Sequence, residues 1–346
     1  MIETYNHERF IREAIDSVLA QSWLRDHKDY EIVVVDDGST DATPAIVREY
    51  GDALRLIEKK NGGQASAMNL GLESCAGDII MMLDGDDWWR EDKVALVMAE
   101  FEAHPECVAV GNGITVVDEM NGTREDMRPS ETAILDLRSD AGVEPFLENL
   151  GFIGTSRYAL RREMLDRVGR CPELVTYESD EYYFTLFPAL GPVHVLAECL
   201  TFYRLHGNNL YQASNALAGV SLDFAKLKKR GEIFRCLHTT LNRELVEHGI
   251  PAARAAAITH PLEIAATRLE LQTAGGSRVA TFQVERRSQN WLTKRGQGAP
   301  LTTRVKVLAA ALLMSPPSFY AMRTRYAGSR ARAATGAQDN ASKGNA

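Results

Sequence analysis

Two apolar runs along this chain stop abruptly at clustered acids. Ile32-Val33-Val34-Val35 leads into Asp36-Asp37-Gly38-Ser39-Thr40-Asp41, and Ile79-Ile80-Met81-Met82-Leu83 leads into Asp84-Gly85-Asp86-Asp87. Such runs, bounded by turn residues, predict strands buried on both faces, as in a parallel sheet covered by helices. Between and around them the apolar period is helical. Phe10, Ala14, Ile15, Val18 and Leu19 form one stripe; Gln64 to Ser74 and Lys93 to Ala103 predict two more helices, with a short strand at Leu54 to Ile57. Thr43 offers an N-cap and Pro44 a first helical position for a short helix. Asn61-Gly62-Gly63 predicts a turn. This alternation is that of an α/β layer.

Further on, 118–140 is polar and acid-rich, predicting a long loop or an inserted hairpin. Ile153 to Leu160 and Val193 to Tyr203 predict later strands, and Tyr183, Leu186, Phe187 and Leu190 a helix between them, opened by Ser179-Asp180-Glu181. Beyond about residue 215 the pattern is helical throughout, with a stripe at Phe234, Leu237, Leu241 and Leu245 and a helix from Ala252 to Thr273 bent at Pro261. The expected organisation is a domain over 1–210, a helical region over 211–327 and a disordered tail from Gly328, rich in Ala, Gly, Ser and Asn.

Composition changes this picture little. The 346 residues carry a net charge of −8, which argues against a nucleic-acid surface. From Leu301 onward, however, seven Lys or Arg face a single acid, Asp339. The apolar Val307 to Met314 beside Arg323, Arg325, Arg330 and Arg332 is compatible with peripheral contact with an anionic membrane, or with a packed helix and a solvated tail. The five cysteines are scattered, giving neither a disulfide framework nor a thiolate zinc site, and a cytoplasmic setting is expected. Glu3, His7, Glu8 and Arg9 interrupt any signal-peptide pattern, and no run reaches the roughly 20 apolar residues of a membrane span.

The chemistry lies in the acids. In open α/β sheets ligands sit beyond the carboxyl ends of strands, so both clusters should open onto one crevice. Crowded carboxylates repel, which suits a divalent cation and a polar substrate. Each motif alone has a plainer reading. Asp36-Asp37-Gly38 makes an ordinary turn, Asp180-Glu181 complements a helix dipole, and His206 sits in a Gly-Asn loop.

In combination and order, the motifs resemble the GT-A glycosyltransferases of family 2. Thr4-Tyr5-Asn6 is similar to the end of that family's first strand, Asp36-Asp37-Gly38-Ser39-Thr40-Asp41 to its second-strand motif, Asn61-Gly62-Gly63-Gln64-Ala65 through Asn69-Leu70-Gly71 to its sugar-nucleotide segment, and Asp84-Gly85-Asp86-Asp87 to its metal motif. The resemblance implies a Rossmann-like, mixed but mainly parallel sheet with flanking helices and a C-terminal helical extension. It implies donor contacts from Thr4, Tyr5, Asn6, Asp36, Asp37, Gly38, Ser39, Asn61, Gly63, Gln64, Asn69, Asp84 and Asp87, and Mg²⁺ or Mn²⁺ held by Asp84, Asp86 and His206. Asp180 and Glu181 match its acidic pair in reversed order, and the catalytic base is expected in one of them. Glu3 stands in the place of the family's Pro and Met68 in that of a frequent Arg. The first strand is short, and a missing strand would leave unpaired backbone groups at about 1–3 kcal/mol each.

The expected activity is therefore transfer of a sugar from a nucleoside diphosphate sugar, UDP-linked by expectation, to a hydroxyl of a surface or lipid-linked glycan, with inversion. The alternatives are a catalytically silent sugar-nucleotide binder of the same fold and a two-carboxylate glycosidase. The second is disfavoured because the acids cluster rather than stand apart.

Overall fold

In the computed structural model, which describes residues 1–149, 154–206, 209 and 224–323, the second acid-tipped run is divided between two sheets. The first sheet is parallel and built from β1 (Ile2–Thr4), β2 (Val33–Asp36), β3 (Arg55–Glu58) and β5 (Leu83–Asp84), in the order β3-β2-β1-β5. The run from Ile79 begins instead as β4 (Ile79–Met81), antiparallel to β10 (Tyr158–Arg161) in the second sheet. The switch falls at Met82, whose N–H donates to Tyr158 O while that of Leu83 donates to Met1 O, each at 3.0 Å. A continuous apolar run has no alternation to tie it to one sheet, so the sequence pattern could not show the division.

The short first strand completes the sheet. Ile2 pairs with both Val34 and Leu83, and Glu3 with both Val35 and Asp84, so β1 fills the centre and the expected gap does not arise. The second sheet runs β4-β10-β7-β11-β6, with β6 at Trp88–Trp89, β7 at Ala109–Asp118 and β11 at Val193–Leu205. Among the described residues its β7·β11 pair is parallel and its other pairs antiparallel, so the expected mixed arrangement takes the form of a parallel sheet beside a mostly antiparallel one. The polar 118–140 region is a hairpin rather than a loop: β8 (Thr123–Met127) pairs with β7, and β9 (Ala133–Leu135) with β11. Tyr158 opens β10 later than expected, and residues 150–153 lie outside the described residues.

Helices α1 (Ile11–Leu19), α2 (Thr43–Arg48), α3 (Gln64–Ser74), α4 (Lys93–Ala103), α5 (Val143–Glu148), α6 (Leu165–Val168) and α7 (Asp180–Leu190) accompany the sheets. The α1 stripe buries Ile11, Ala14, Ile15 and Val18 with Ile2, Val34 and Leu83 in one core. Thr43 is the first helical residue of α2 and not its cap. The Thr43 N–H donates to Asp41 (3.0 Å), and its hydroxyl accepts the His7 N–H (2.8 Å).

The chain forms two compact units, Met1–Asn209 with Thr239–Thr259, and Leu210–His238 with His260–Ala346. Residues 239–259 thus belong with the first unit, inside the region expected to be a separate extension. Beyond 223 the described chain is helical, with α8 (Phe224–Glu247), α9 (Ala252–Ala274), α10 (Arg278–Lys294) and α11 (Leu301–Leu313); α9 runs through Pro261 as one helix. The second unit has its own core of Ile264, Leu271, Val284, Ala311, Phe319 and Tyr320. Its buried Glu285 is satisfied by Arg268, Arg323 and the Tyr320 hydroxyl, as a buried charge must be. Arg325, Arg330, Arg332 and the tail from Gly328 lie outside the described residues. Among those residues no helix is long and apolar enough to cross a membrane.

Candidate functional site

The carboxyl ends of β1 and β5 adjoin, and there the acids gather. Asp86, just past β5, has its Oδ2 at 3.1 Å from His206 Nε2 and 3.8 Å from His7 Nε2. Burial works to raise its pKa, but the two imidazoles outweigh that and hold Asp86 below the usual carboxylate range. Burial in turn lowers His7, with Asp86 acting against it. His206 comes from the end of β11, where Asn209 accepts its N–H (2.8 Å) and Phe10 packs on its ring. A carboxylate and two imidazoles converging in this way make a donor set that fits a divalent cation.

Asp84 is turned elsewhere. Its Oδ2 accepts the Ser156 hydroxyl (3.2 Å), and its carboxyl faces that of Glu3 across the β1·β5 pair. Two buried carboxyls in contact repel unless a proton lies between them, and Glu3 Oε2 has no other donor. Burial pushes Glu3 up to about 7 and raises Asp84 well above its ordinary range, with Glu3 adding to it. Asp87 is buried, with Oδ1 accepting the Arg204 N–H (2.9 Å). Gly85 lets its neighbours approach closely: a Cβ there would lie 2.6 Å from Thr4 Oγ1 and 2.8 Å from His7 Nδ1.

The second-strand motif is folded on itself. Asp36 accepts the Gly38 and Ser39 N–H groups (3.2 and 2.9 Å) and the Ser39 hydroxyl. Asp37 is ion-paired with Lys59 and accepts the N–H groups of Gly62 and Gly63 (2.9 and 2.8 Å). Both are buried, so they shape the loops 38–41 and 59–63. Gly38, at φ +77°, brings its loop against Asn61 N, which a Cβ would meet at 2.7 Å. Asn6, at φ +56°, donates its N–H to the Ser39 hydroxyl (2.8 Å) and accepts that of Thr40 (2.8 Å), leaving Tyr5 exposed at the rim.

From α3, Gln64 reaches Glu3 Oε1 (3.1 Å) and accepts the Ser179 N–H (3.2 Å), linking the acid pair of β1 and β5 to the start of α7. Asn69, expected in the donor segment, is a buried clamp instead: its amide bonds both backbone groups of Cys171, and its oxygen also accepts the Tyr183 hydroxyl. At the start of α7, Asp180 and Glu181 differ in their surroundings. Asp180 acts electrostatically on Glu3, Asp84, Arg157 and Tyr203; the strongest influences on Glu181 are burial, Asp180 and Glu178, which push it up to about 8. Burial also raises Asp180, with Arg157 acting against it.

Sequence reasoning missed several of these residues. His7 is a single histidine in a polar stretch, and only the left-handed turn at Asn6 brings it to Asp86. Arg157, held by burial to about 10, lies near Asp180 and Asp87. Arg204 donates to Asp86 O (2.9 Å), pairs with Glu13 and Glu119, and stacks over Trp88 and Phe10. Trp88 is thereby packed against Arg204 and Phe202, and Trp89, whose Nε1 donates to Ser156 O (2.9 Å), is buried.

Residues 1–169 match the family described as glycosyl transferase family 2. An uncharacterized glycosyltransferase of Nostoc sp. (strain PCC 7120) is 33% identical over 226 residues, covering 62% of this chain and 67% of the relative. Glycosyltransferase GlyA of Streptococcus pneumoniae serotype 4 is 35% identical over 115 residues, 32% of this chain and 16% of the relative. The chain therefore spans between a sixth and two thirds of these relatives. Among solved structures, residues 1–349 of S. aureus TarS are similar in fold, at 18% identity. The complex with UDP gives a TM-score of 0.57 over 95% of this chain and 87% of that one; the complex with UDP-GlcNAc gives 0.58 over 95% and 90%.

Proposed function

The chain belongs to glycosyl transferase family 2, and from that premise we propose that it moves a sugar from a nucleoside diphosphate sugar to a hydroxyl acceptor, inverting the anomeric carbon. The observation that carries this reading is the meeting of Asp86, His206 and His7 at the end of β5, with Asp180 acting on the same cluster of acids. Asp86 and His206, with His7 beside them, would hold Mg²⁺ or Mn²⁺. Such an ion supplies charge neutralisation for the departing diphosphate. UDP is our choice of carrier, because the TarS fold relative is solved with UDP.

The chain's own residues supply the rest. Tyr5 and the 38–41 and 61–63 loops border the crevice in which the nucleoside would lie, with Asp36 and Asp37 holding the loop shapes. Asp180 is the residue we assign as general base, taking the proton from the acceptor hydroxyl. Its electrostatic reach to Glu3 and Asp84 favours it over Glu181. Arg157 opposes the upward shift that burial gives Asp180 and so favours its charged form.

The acceptor is in our reading a surface or lipid-linked glycan. Peripheral membrane contact through α11 would serve it, because Leu301, Val305 and Leu312 form an exposed apolar stripe with Arg304 and Lys306 beside it.

The test is turnover or slow hydrolysis across a panel of nucleotide sugars with Mn²⁺ present. One donor should be consumed, and Asp180→Asn should lower kcat by about 10²–10⁴-fold with donor affinity kept, while Glu181→Gln stays within about tenfold of the parent. No consumption of any donor, or full rate in Asp180→Asn, would overturn the assignment.

A further inference from the structure

We propose a second metal site, of zinc type, formed by Glu100, His104 and His194. Glu100 lies in the last turn of α4, His104 is the residue that caps its C-terminus, and His194 is the second residue of β11. Their ligand atoms all lie within 4.8 Å of one another. Glu100 Oε1 is 2.5 Å from His194 Nδ1 and 3.8 Å from His104 Nε2. Ligand atoms around a tetrahedral zinc are about 3.3 Å apart, given bonds of about 2.0–2.1 Å, so small side-chain adjustments suffice.

A plain ion pair would need only one imidazole on Glu100. Here a further carboxylate stands behind the second. Glu106 Oε1 lies 3.5 Å from His104 Nδ1, the ring nitrogen other than the one near Glu100. An Nδ1–H held there leaves the Nε2 lone pair directed at the Glu100–His194 pair, which is the carboxylate–histidine–metal arrangement of zinc sites. With no substrate phosphate to add oxygen ligands, as the donor's diphosphate would beside Asp86, two imidazoles and one carboxylate favour zinc or a similar borderline cation over magnesium or calcium, which prefer all-oxygen sets.

The site is separate from the crevice. His194 lies near the start of β11 and His206 just past its end; against β7, His194 pairs with Val110 and Leu205 with Asp118, and eight to nine steps of about 3.3 Å span roughly 25–30 Å, so one ion cannot serve both. The placement gives it a bracing role. α4 follows the Asp84–Asp87 segment, and β11 runs through Arg204 to Leu205, next to His206, so an ion here would fasten together two elements that adjoin the donor site.

The experiment is titration of the chelator-treated full chain with Co²⁺, read by visible d–d absorption. One equivalent should give bands that Zn²⁺ displaces. His104→Ala, at a side chain 43% exposed, should abolish them, Glu106→Gln should weaken Co²⁺ binding about 10–100-fold, and Asp86→Ala should leave them intact. Absent bands, bands unchanged in both His104→Ala and Glu106→Gln, or bands lost only in Asp86→Ala would overturn the proposal. Should His104→Ala lose the wild-type far-UV circular dichroism, the exposed Glu106→Gln decides alone.

Discussion

At the scale of single residues, the least ordinary group is Glu3, an acid in the middle of a parallel sheet. Its pKa lies near 7 in the fold and near 4.5 when exposed. Between these values the folded chain binds the extra proton, so its contribution to stability is full below about pH 4.5 and is lost as the pH rises through 7. The range is about 3 kcal/mol at 1.36 kcal/mol per unit. Glu3→Gln keeps the shape and removes the charge. In chelator it should therefore be more stable than the parent at pH 8 by about 1–3 kcal/mol and equal to it near pH 4.5. Urea midpoints at the two pH values check this; a variant less stable at pH 8 would show that Glu3 is needed as an anion. The residue types of the site were legible in the sequence because acids after buried strands are conspicuous. Their division of labour was not. Asp36, Asp37 and Asn69 carry the motif letters yet spend their polar atoms on backbone and side chains of the fold, and which oxygen meets which N–H is set by loops that no periodicity encodes.

At the scale of elements, the helices were the most legible. Gln64–Ser74 and Lys93–Ala103 have the limits their apolar spacing sets. Strands were legible as runs but not as members of a sheet, as the division of Ile79–Asp84 at Met82 illustrates. α11 carries the element-level prediction. Leu301 and Val305 are 72% and 57% exposed on one stripe, an arrangement that costs apolar hydration unless something covers it. Sedimentation with anionic vesicles should pull down the full chain, neutral vesicles should do so much less, and Val305→Glu should release it. Equal recovery with the two vesicle types, or no effect of Val305→Glu, would remove membrane contact from the account.

At the scale of the molecule, the first unit gathers groups from segments far apart in sequence: His7 after β1, Asp86 after β5, Asp180 on α7 and His206 after β11. Two sheets are needed to bring them together, one ending in the acids and the other delivering histidine and arginine from β11. The central claim is that these groups hold a cation against the diphosphate of a donor. Calorimetric titration of the full chain with UDP, with and without Mn²⁺, and of Asp86→Ala alongside, tests it most directly. Mn²⁺ should tighten UDP binding by about tenfold or more, or about 1.4 kcal/mol, and Asp86→Ala should lose that gain while keeping its melting temperature. UDP binding that is indifferent to Mn²⁺, or a gain undiminished in Asp86→Ala, would contradict it.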